Sequence, residues 1–139
     1  MNCYQKLKCM LMLLLATVSA NAQIEDGKVY NIVNAGQSDR SLALISNTDV
    51  GTLPKDDTDY SQLWYASKNS DNSYSLRNLK SGCYLYSSNG ASKKWTQTKS
   101  IGANNKLSLT SQTNGYAIRA TNTYDNYHYM HCDGSHNVV

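Results

Sequence analysis

Three histidines gather near the end of the chain, His128, His131 and His136, with Cys132 among them. Imidazoles shuttle protons near neutral pH and bind metals, so the cluster invites a catalytic or zinc reading. Neither has its spacing. Two cysteines and three clustered histidines do not make a zinc signature, and there is no Gly-x-Ser-x-Gly nucleophile turn. A general acid/base pair or an activated nucleophile needs convergent groups, and none is legible. Exposed loop histidines are the plainer reading. The acidic cluster Asp56, Asp57 and Asp59 lacks the glycine and terminal glutamate of a calcium loop, so a solvated loop is expected and no metal site. Cys83 and Cys132 could form a bridge if their Cα atoms came within about 7 Å. Cys83 precedes its strand and Cys132 follows a different one, so two buried free thiols are the plainer reading and the pairing stays open. Tyrosine is the abundant chemistry: 11 of them, with no phenylalanine. Its flat apolar face and polar tip suit half-exposed sheets and stacking on sugar rings. Filling strands is an equally good use.

Short strands must position these groups. Tyr74 to Tyr86, YSLRNLKSGCYLY, alternates apolar and polar residues, breaks at Ser81-Gly82 and alternates again. That pattern predicts strand, turn and strand. Upstream, Tyr30-Asn-Ile-Val-Asn34 leads through Gly36 to Leu42-Ala-Leu-Ile45. Downstream, Tyr116-Ala-Ile-Arg-Ala120 leads through Asp125-Asn126 to Tyr129-Met-His131. The leading tyrosines Tyr30, Tyr74 and Tyr116 stand 44 and 42 residues apart, and a fixed period sets the fold. Gln62-Leu-Trp-Tyr65 is a strongly apolar strand, and Leu107-Ser-Leu109 occupies its place in the second copy. Ser46 to Ser61 reads as one long hydrophilic connection containing the only proline, Pro54. Each copy should hold about four strands, the third only two or three. A threefold all-β unit of this size closes best as a β-trefoil. Three blades fall below the usual minimum for a propeller, and a two-sheet sandwich is the remaining alternative.

The first 22 residues are read as a secretory signal peptide. Lys6 and Lys8 precede a short apolar run, Met10 to Val18, and Ala20-Asn-Ala22 offers a cleavage site after Ala22, or after Ala20. The run is far below the roughly 20 residues a bilayer span requires. The remaining 117 residues carry a formal charge of +1 with no basic run, which gives no footing for a nucleic-acid partner. One domain is expected over 23–139, with repeats at about 28–70, 71–113 and 114–139.

The repeat resembles that of ricin B-type β-trefoil lectin domains, whose units end in Gln-x-Trp. The resemblance rests on Tyr30-x-Ile-x-Asn34, Leu42-Ala-Leu44 and Gln62-Leu-Trp64, and on Tyr74-x-Leu-x-Asn78 with Ser81-Gly-x-Tyr84-Leu85. In the third copy, Met130-His-x-Asp133-Gly-Ser-x-Asn137-Val-Val139 resembles the segment that runs into the last motif. Gln-x-Trp occurs once in full. Lys106-Leu107-Ser108 is read in its place in the second copy, with Leu107 and Leu109 covering for the missing indole. The third unit is expected to be truncated at its C-terminus, leaving a strand edge that a second copy or a partner would complete. Tyr30, Trp64, Tyr74 and Tyr116 are the expected core.

The resemblance implies a carbohydrate-binding module with no catalysis and no cofactor. The signal peptide places it as secreted, periplasmic or on the cell surface, either as a short domain of its own or as the N-terminal part of a glycan-active enzyme. The resemblance also implies an aspartate on vicinal hydroxyls, an aromatic platform and an assisting asparagine. Asp133 and Asn137 fall near these places in the third copy, with Tyr129 as the aromatic. Asp49 falls near the aspartate place in the first. In the second, Trp95 is either the platform or packed beneath a hairpin, and Asn89 replaces the aspartate. The plainer reading of Asp133-Gly134 is turn chemistry. No copy carries a complete set, so a structural or protein-binding trefoil is the alternative. An exposed aromatic beside Asp49 or Asp133 would discriminate between them.

Overall fold

The computed structural model describes residues 24–87, 95–113, 115–121 and 129–130. The signal-peptide reading, Cys132, Asp133, Asn137 and the three histidines lie outside the described residues. Among the described residues all regular structure is strand, apart from two single 3-10 turns. The strands are β1 (Val29–Asn31), β2 (Val33–Asn34), β3 (Gln37–Leu44), β4 (Val50–Pro54), β5 (Leu63–Lys68) and β6 (Tyr74–Asn78). They continue with β7 (Tyr84–Ser87), β8 (Trp95–Thr98), β9 (Leu107–Gln112) and β10 (Gly115–Ala120).

Two layers follow from the pairing. β1 pairs β5, β5 pairs β6, β6 meets β9 and β9 pairs β10, every contact antiparallel. These are the wall of a barrel. β3–β4 and β7–β8 are hairpins that leave the wall and cap it. Two units with four strand positions each, and the opening strand of a third, form a β-trefoil. The register makes the pseudo-threefold explicit. Val33 faces Ser41, Arg77 faces Tyr84 and Arg119 faces Tyr129. Beside them the Leu42 amide donates to the Ile32 carbonyl and the Met130 amide to the Ile118 carbonyl, both at 2.8 Å. Ile32, Leu76 and Ile118 thus form one layer of the core, and Leu42, Leu85 and Met130 another.

Trp64 is fully buried, and its indole N–H donates to the Leu42 carbonyl at 3.0 Å. The indole therefore ties the barrel wall to the first hairpin. Its counterpart in the second unit corrects the sequence alignment. Trp64 lies across from Asn78 and Leu107 across from Ala120, at matching positions of β6 and β10. Leu107 itself, fully buried, takes the tryptophan's place. The motif's second copy is Asn105-Lys106-Leu107, one residue earlier than the sequence reading. Its asparagine does the glutamine's work. The Gln62 amide donates to the Pro54 carbonyl and accepts from the Asp56 amide, both at 3.0 Å. The Asn105 amide donates to the Leu85 carbonyl at 2.9 Å and accepts from the Gly102 amide at 2.8 Å. Each ends a 3-10 turn, Tyr60–Gln62 or Ala103–Asn105.

The connection Ser46 to Ser61 contains strand β4, hidden by Gly51 and by Pro54, which sits at the strand's last position. The lead-in is also built in. Gly27 and Lys28 bond to Ala66, Asp26 caps the Lys68 amide, and the Tyr74 hydroxyl donates to the Ile24 carbonyl at 2.9 Å. Tyr30 accepts from the Glu25 amide at 2.8 Å through its hydroxyl. Tyr30, Tyr74 and Tyr116 are half-buried rather than fully enclosed, and Tyr30 and Tyr74 pack on the core.

Candidate functional site

Alternation in β5 sends Trp64 and Ala66 inward and Tyr65 outward. Alternation in β6 buries Leu76 and Asn78 and sends Arg77 outward. Tyr65 and Arg77 are direct cross-strand partners, so their side chains share the outer face of the barrel wall. Arg77 in turn faces Tyr84 of β7, with its guanidinium 5.9 Å from the ring centroid. The result is an aromatic–cation–aromatic row, Tyr65–Arg77–Tyr84, across three strands. Beside it lies a groove of about 390 Å³ lined by Tyr65, Arg77, Asn78, Leu79 and Gly82.

The turn Leu79 to Gly82 forms the groove's far wall, and its shape is fixed locally. Asn78 is fully buried, and its side-chain oxygen accepts from the Lys80 and Ser81 amides at 3.1 and 3.2 Å. Its amide nitrogen donates to the Ser61 carbonyl at 2.8 Å. An asparagine holding its own turn is standard turn chemistry. Gly82 follows at φ +69, a left-handed conformation that side chains rarely adopt. The Arg77 Nε donates to the Gly82 carbonyl at 2.9 Å. A Cβ on Gly82 would meet the Arg77 Nη2 at 3.2 Å. Leu79 is exposed, and 37% of Tyr65 is open to solvent. The groove thus offers one aromatic face, one apolar edge and one guanidinium held in place. Such a set can stack on a ring and donate hydrogen bonds; it contains no nucleophile and no general base.

The sequence-predicted residues fare differently. Trp95 is 2% exposed and stands in the core, at the position Val50 holds in the first hairpin. Of its two readings, the packed one holds, and it cannot serve as a platform. Asp49 turns back onto its own hairpin, accepting from the Ser46 hydroxyl at 2.9 Å. Asp49 bridges Thr96, which faces Tyr86 in β7. Tyr86 is half-buried and its hydroxyl accepts from the Asn104 amide at 3.1 Å. The aromatic in line with Asp49 is therefore one strand away and only partly open. Tyr129 is 46% exposed, with the Arg119 guanidinium 5.8 Å from its ring centroid. Arg119 faces Ser108 where Arg77 faces Tyr65, so the third unit repeats the cation–aromatic pair without the second ring. Cys83 is a half-buried free thiol.

The acidic cluster organises its own loop. Asp56 accepts from the Thr58 amide and hydroxyl, at 2.8 and 2.6 Å, and Asp59 from the Ser61 amide and hydroxyl, at 2.9 and 2.7 Å. These donors, the hydroxyls first, hold both carboxyls below their ordinary range. Asp57 accepts from the Asn31 amide at 3.0 Å and pairs with Lys55 at 3.2 Å. Among the described residues no group of three or more metal-binding side chains converges, and no helix is long and apolar enough to cross a membrane.

Sequence reasoning missed Tyr65, Arg77, Leu79 and Gly82 as a group. The strands that carry Tyr65 and Arg77 and the Ser81-Gly82 turn were legible, but which strands lie side by side was not.

No protein-family model matches the chain, and no curated protein matches it. Solved structures do. A ricin B-like lectin from Macrolepiota procera in complex with lactose superposes with a TM-score of 0.68 at 16% identity. The match covers 84% of this chain and 86% of the lectin. A designed 3-fold symmetric protein, ThreeFoil, is similar at a TM-score of 0.66 and 18% identity, over 80% of this chain and 86% of the design. A mosquitocidal holotoxin is similar at a TM-score of 0.73 and 13% identity, over 81% of this chain. There the chain spans only 14% of the larger protein. These likenesses are of fold, the β-trefoil.

Proposed function

We propose that this chain is a non-catalytic, lectin-like carbohydrate-binding module of an exported protein, its export directed by residues 1–22. The observation that carries the reading is the exposure of Tyr65 on the barrel wall, in a groove that it shares with the Arg77 guanidinium held on the Gly82 carbonyl. Sugars are held by an aromatic face against the ring's C–H groups and by a few side-chain hydrogen bonds to its oxygens. The trefoil likeness to lectins supports the reading. A module of this kind would hold a larger protein, such as a glycan-active enzyme, on its glycan.

The alternative, a trefoil with no sugar site, draws on Trp95, which is buried, and on Asp49, which is committed to its own turn. A glycan array probed with protein of demonstrated fold separates the two. Binding to a defined set of glycans, lost in Tyr65→Ala, is the expected result. Silence across neutral and charged sugars would leave the structural alternative.

A further inference from the structure

Among the described residues the groove's lining holds a single charge, Arg77, and no acidic side chain. Arg77 is unusually constrained for an exposed arginine. Its Nε is committed to the Gly82 carbonyl at 2.9 Å, and its guanidinium lies against the Tyr84 ring. Those two contacts fix the plane of the fork. They leave the terminal Nη atoms without a hydrogen bond among the described residues. An arginine held this way has lost side-chain entropy before any ligand arrives, and its fork geometry matches a carboxylate.

A second observation separates this site from mere packing. Arg119 stands over Tyr129 as Arg77 stands over Tyr84, so the cation–aromatic pair by itself is a repeated structural device. Both arginines face an aromatic on one side, Tyr84 or Tyr129, but only Arg77 has a second aromatic cross-strand partner, Tyr65; Arg119 has Ser108 there. Direct cross-strand partners hold their Cβ atoms about 4.5–5.5 Å apart. Both side chains leave the same face of the wall, so a ligand lying across it can meet both.

We infer that the Tyr65–Arg77 groove takes an acidic sugar, a hexuronate whose ring stacks on Tyr65 and whose carboxylate is gripped by the Arg77 Nη pair. The inference rests on the carbohydrate reading and deepens it. Gly82 belongs to the site, because a side chain there would press on the Arg77 fork.

The test uses oligogalacturonates and oligoglucuronates, each beside its carboxyl-reduced neutral counterpart, with calorimetry at low salt. The acidic form of at least one pair should bind roughly 10- to 100-fold tighter than its reduced form, the worth of a charged hydrogen-bonded contact. Arg77→Gln should erase that difference and Arg119→Gln should retain it. Rising salt should weaken the acidic form selectively. If Arg77→Gln does not fold, Arg77→Lys keeps the charge without the fork, and the comparison of ligands on the unaltered protein stands alone. Equal binding of acidic and reduced forms, or a preference that survives Arg77→Gln, would overturn the inference and leave the carbohydrate reading in place. Binding confined to other, neutral glycans would do the same. Absence of binding to any glycan would overturn both.

Discussion

At the scale of single residues, the fold concentrates its stability and its candidate chemistry on different sides of the same two strands. Trp64 faces in and Tyr65 faces out from adjacent positions of β5. Truncating Trp64 to alanine removes a fully buried indole and its bond to Leu42. It should cost about 3–5 kcal/mol in urea denaturation. Tyr65→Ala, by contrast, should leave stability within about 1 kcal/mol, as surface substitutions do, while abolishing glycan binding. Gly82→Ala should be costly on both counts. Its left-handed backbone adds about 1–2 kcal/mol of strain, and its methyl displaces Arg77. Trp64 was legible because a tryptophan in a Gln-x-Trp repeat has one plausible environment. Trp95 was not, because an aromatic at a hairpin base can face either way. Only the hairpin register, which sets Trp95 where Val50 stands, decides it.

At the scale of elements, the two 3-10 turns show how a motif can persist after its letters change. Gln62 and Asn105 make the same kinds of bonds, a side-chain amide spanning a carbonyl and a backbone N–H. Asn105→Ala would leave buried partners unsatisfied and should cost about 1–3 kcal/mol. Lys106→Ala breaks only an exposed pair with Asp71, separated by 2.6 Å, and should cost no more than about 1 kcal/mol. The sequence alignment, with Lys106 in the glutamine's place, would rank them the other way; chemical denaturation of the two variants decides. Alternation made β6 and β7 legible, their repeat made β10 so, and a short apolar run marked β5. It failed at β4, whose glycine and terminal proline read as a loop until pairing with β3 supplied the reason for the strand. The groove was illegible for a related reason. Its wall comes from β5, β6 and the Leu79–Gly82 turn, and no local pattern says that β5 lies beside β6 in the register that sets Tyr65 against Arg77.

At the scale of the whole molecule, the period of the leading tyrosines and the count of short strands favoured an all-β trefoil over a two-sheet sandwich, and the strand pairing settles it. The described residues supply its barrel wall and two capping hairpins. Its loops lean on carboxylates. Asp71 lies well below the ordinary carboxylate value because the Lys106 ammonium, then the Ser73 hydroxyl and amide, hold it ionised. Asp56 and Asp59 are lowered by Thr58 and Ser61. Groups whose folded value is depressed stabilise the fold above their unfolded value, near pH 4, and lose that contribution as pH falls through the folded value. Thermal midpoints should therefore hold down to about pH 4 as far as these groups are concerned, and fall below it. A midpoint that rises on acidification would contradict this, and Asp71→Asn should shallow the fall. On the proposed function, the outer face of β5 and β6 meets a glycan. Amide shifts in a heteronuclear NMR spectrum, followed while titrating a glycan that the array identifies, test it most directly. The perturbed amides should cluster at Tyr65, Arg77, Leu79 and Gly82. Shifts confined to the Ser46–Asp49 hairpin, or a spectrum unmoved by any glycan, would contradict it.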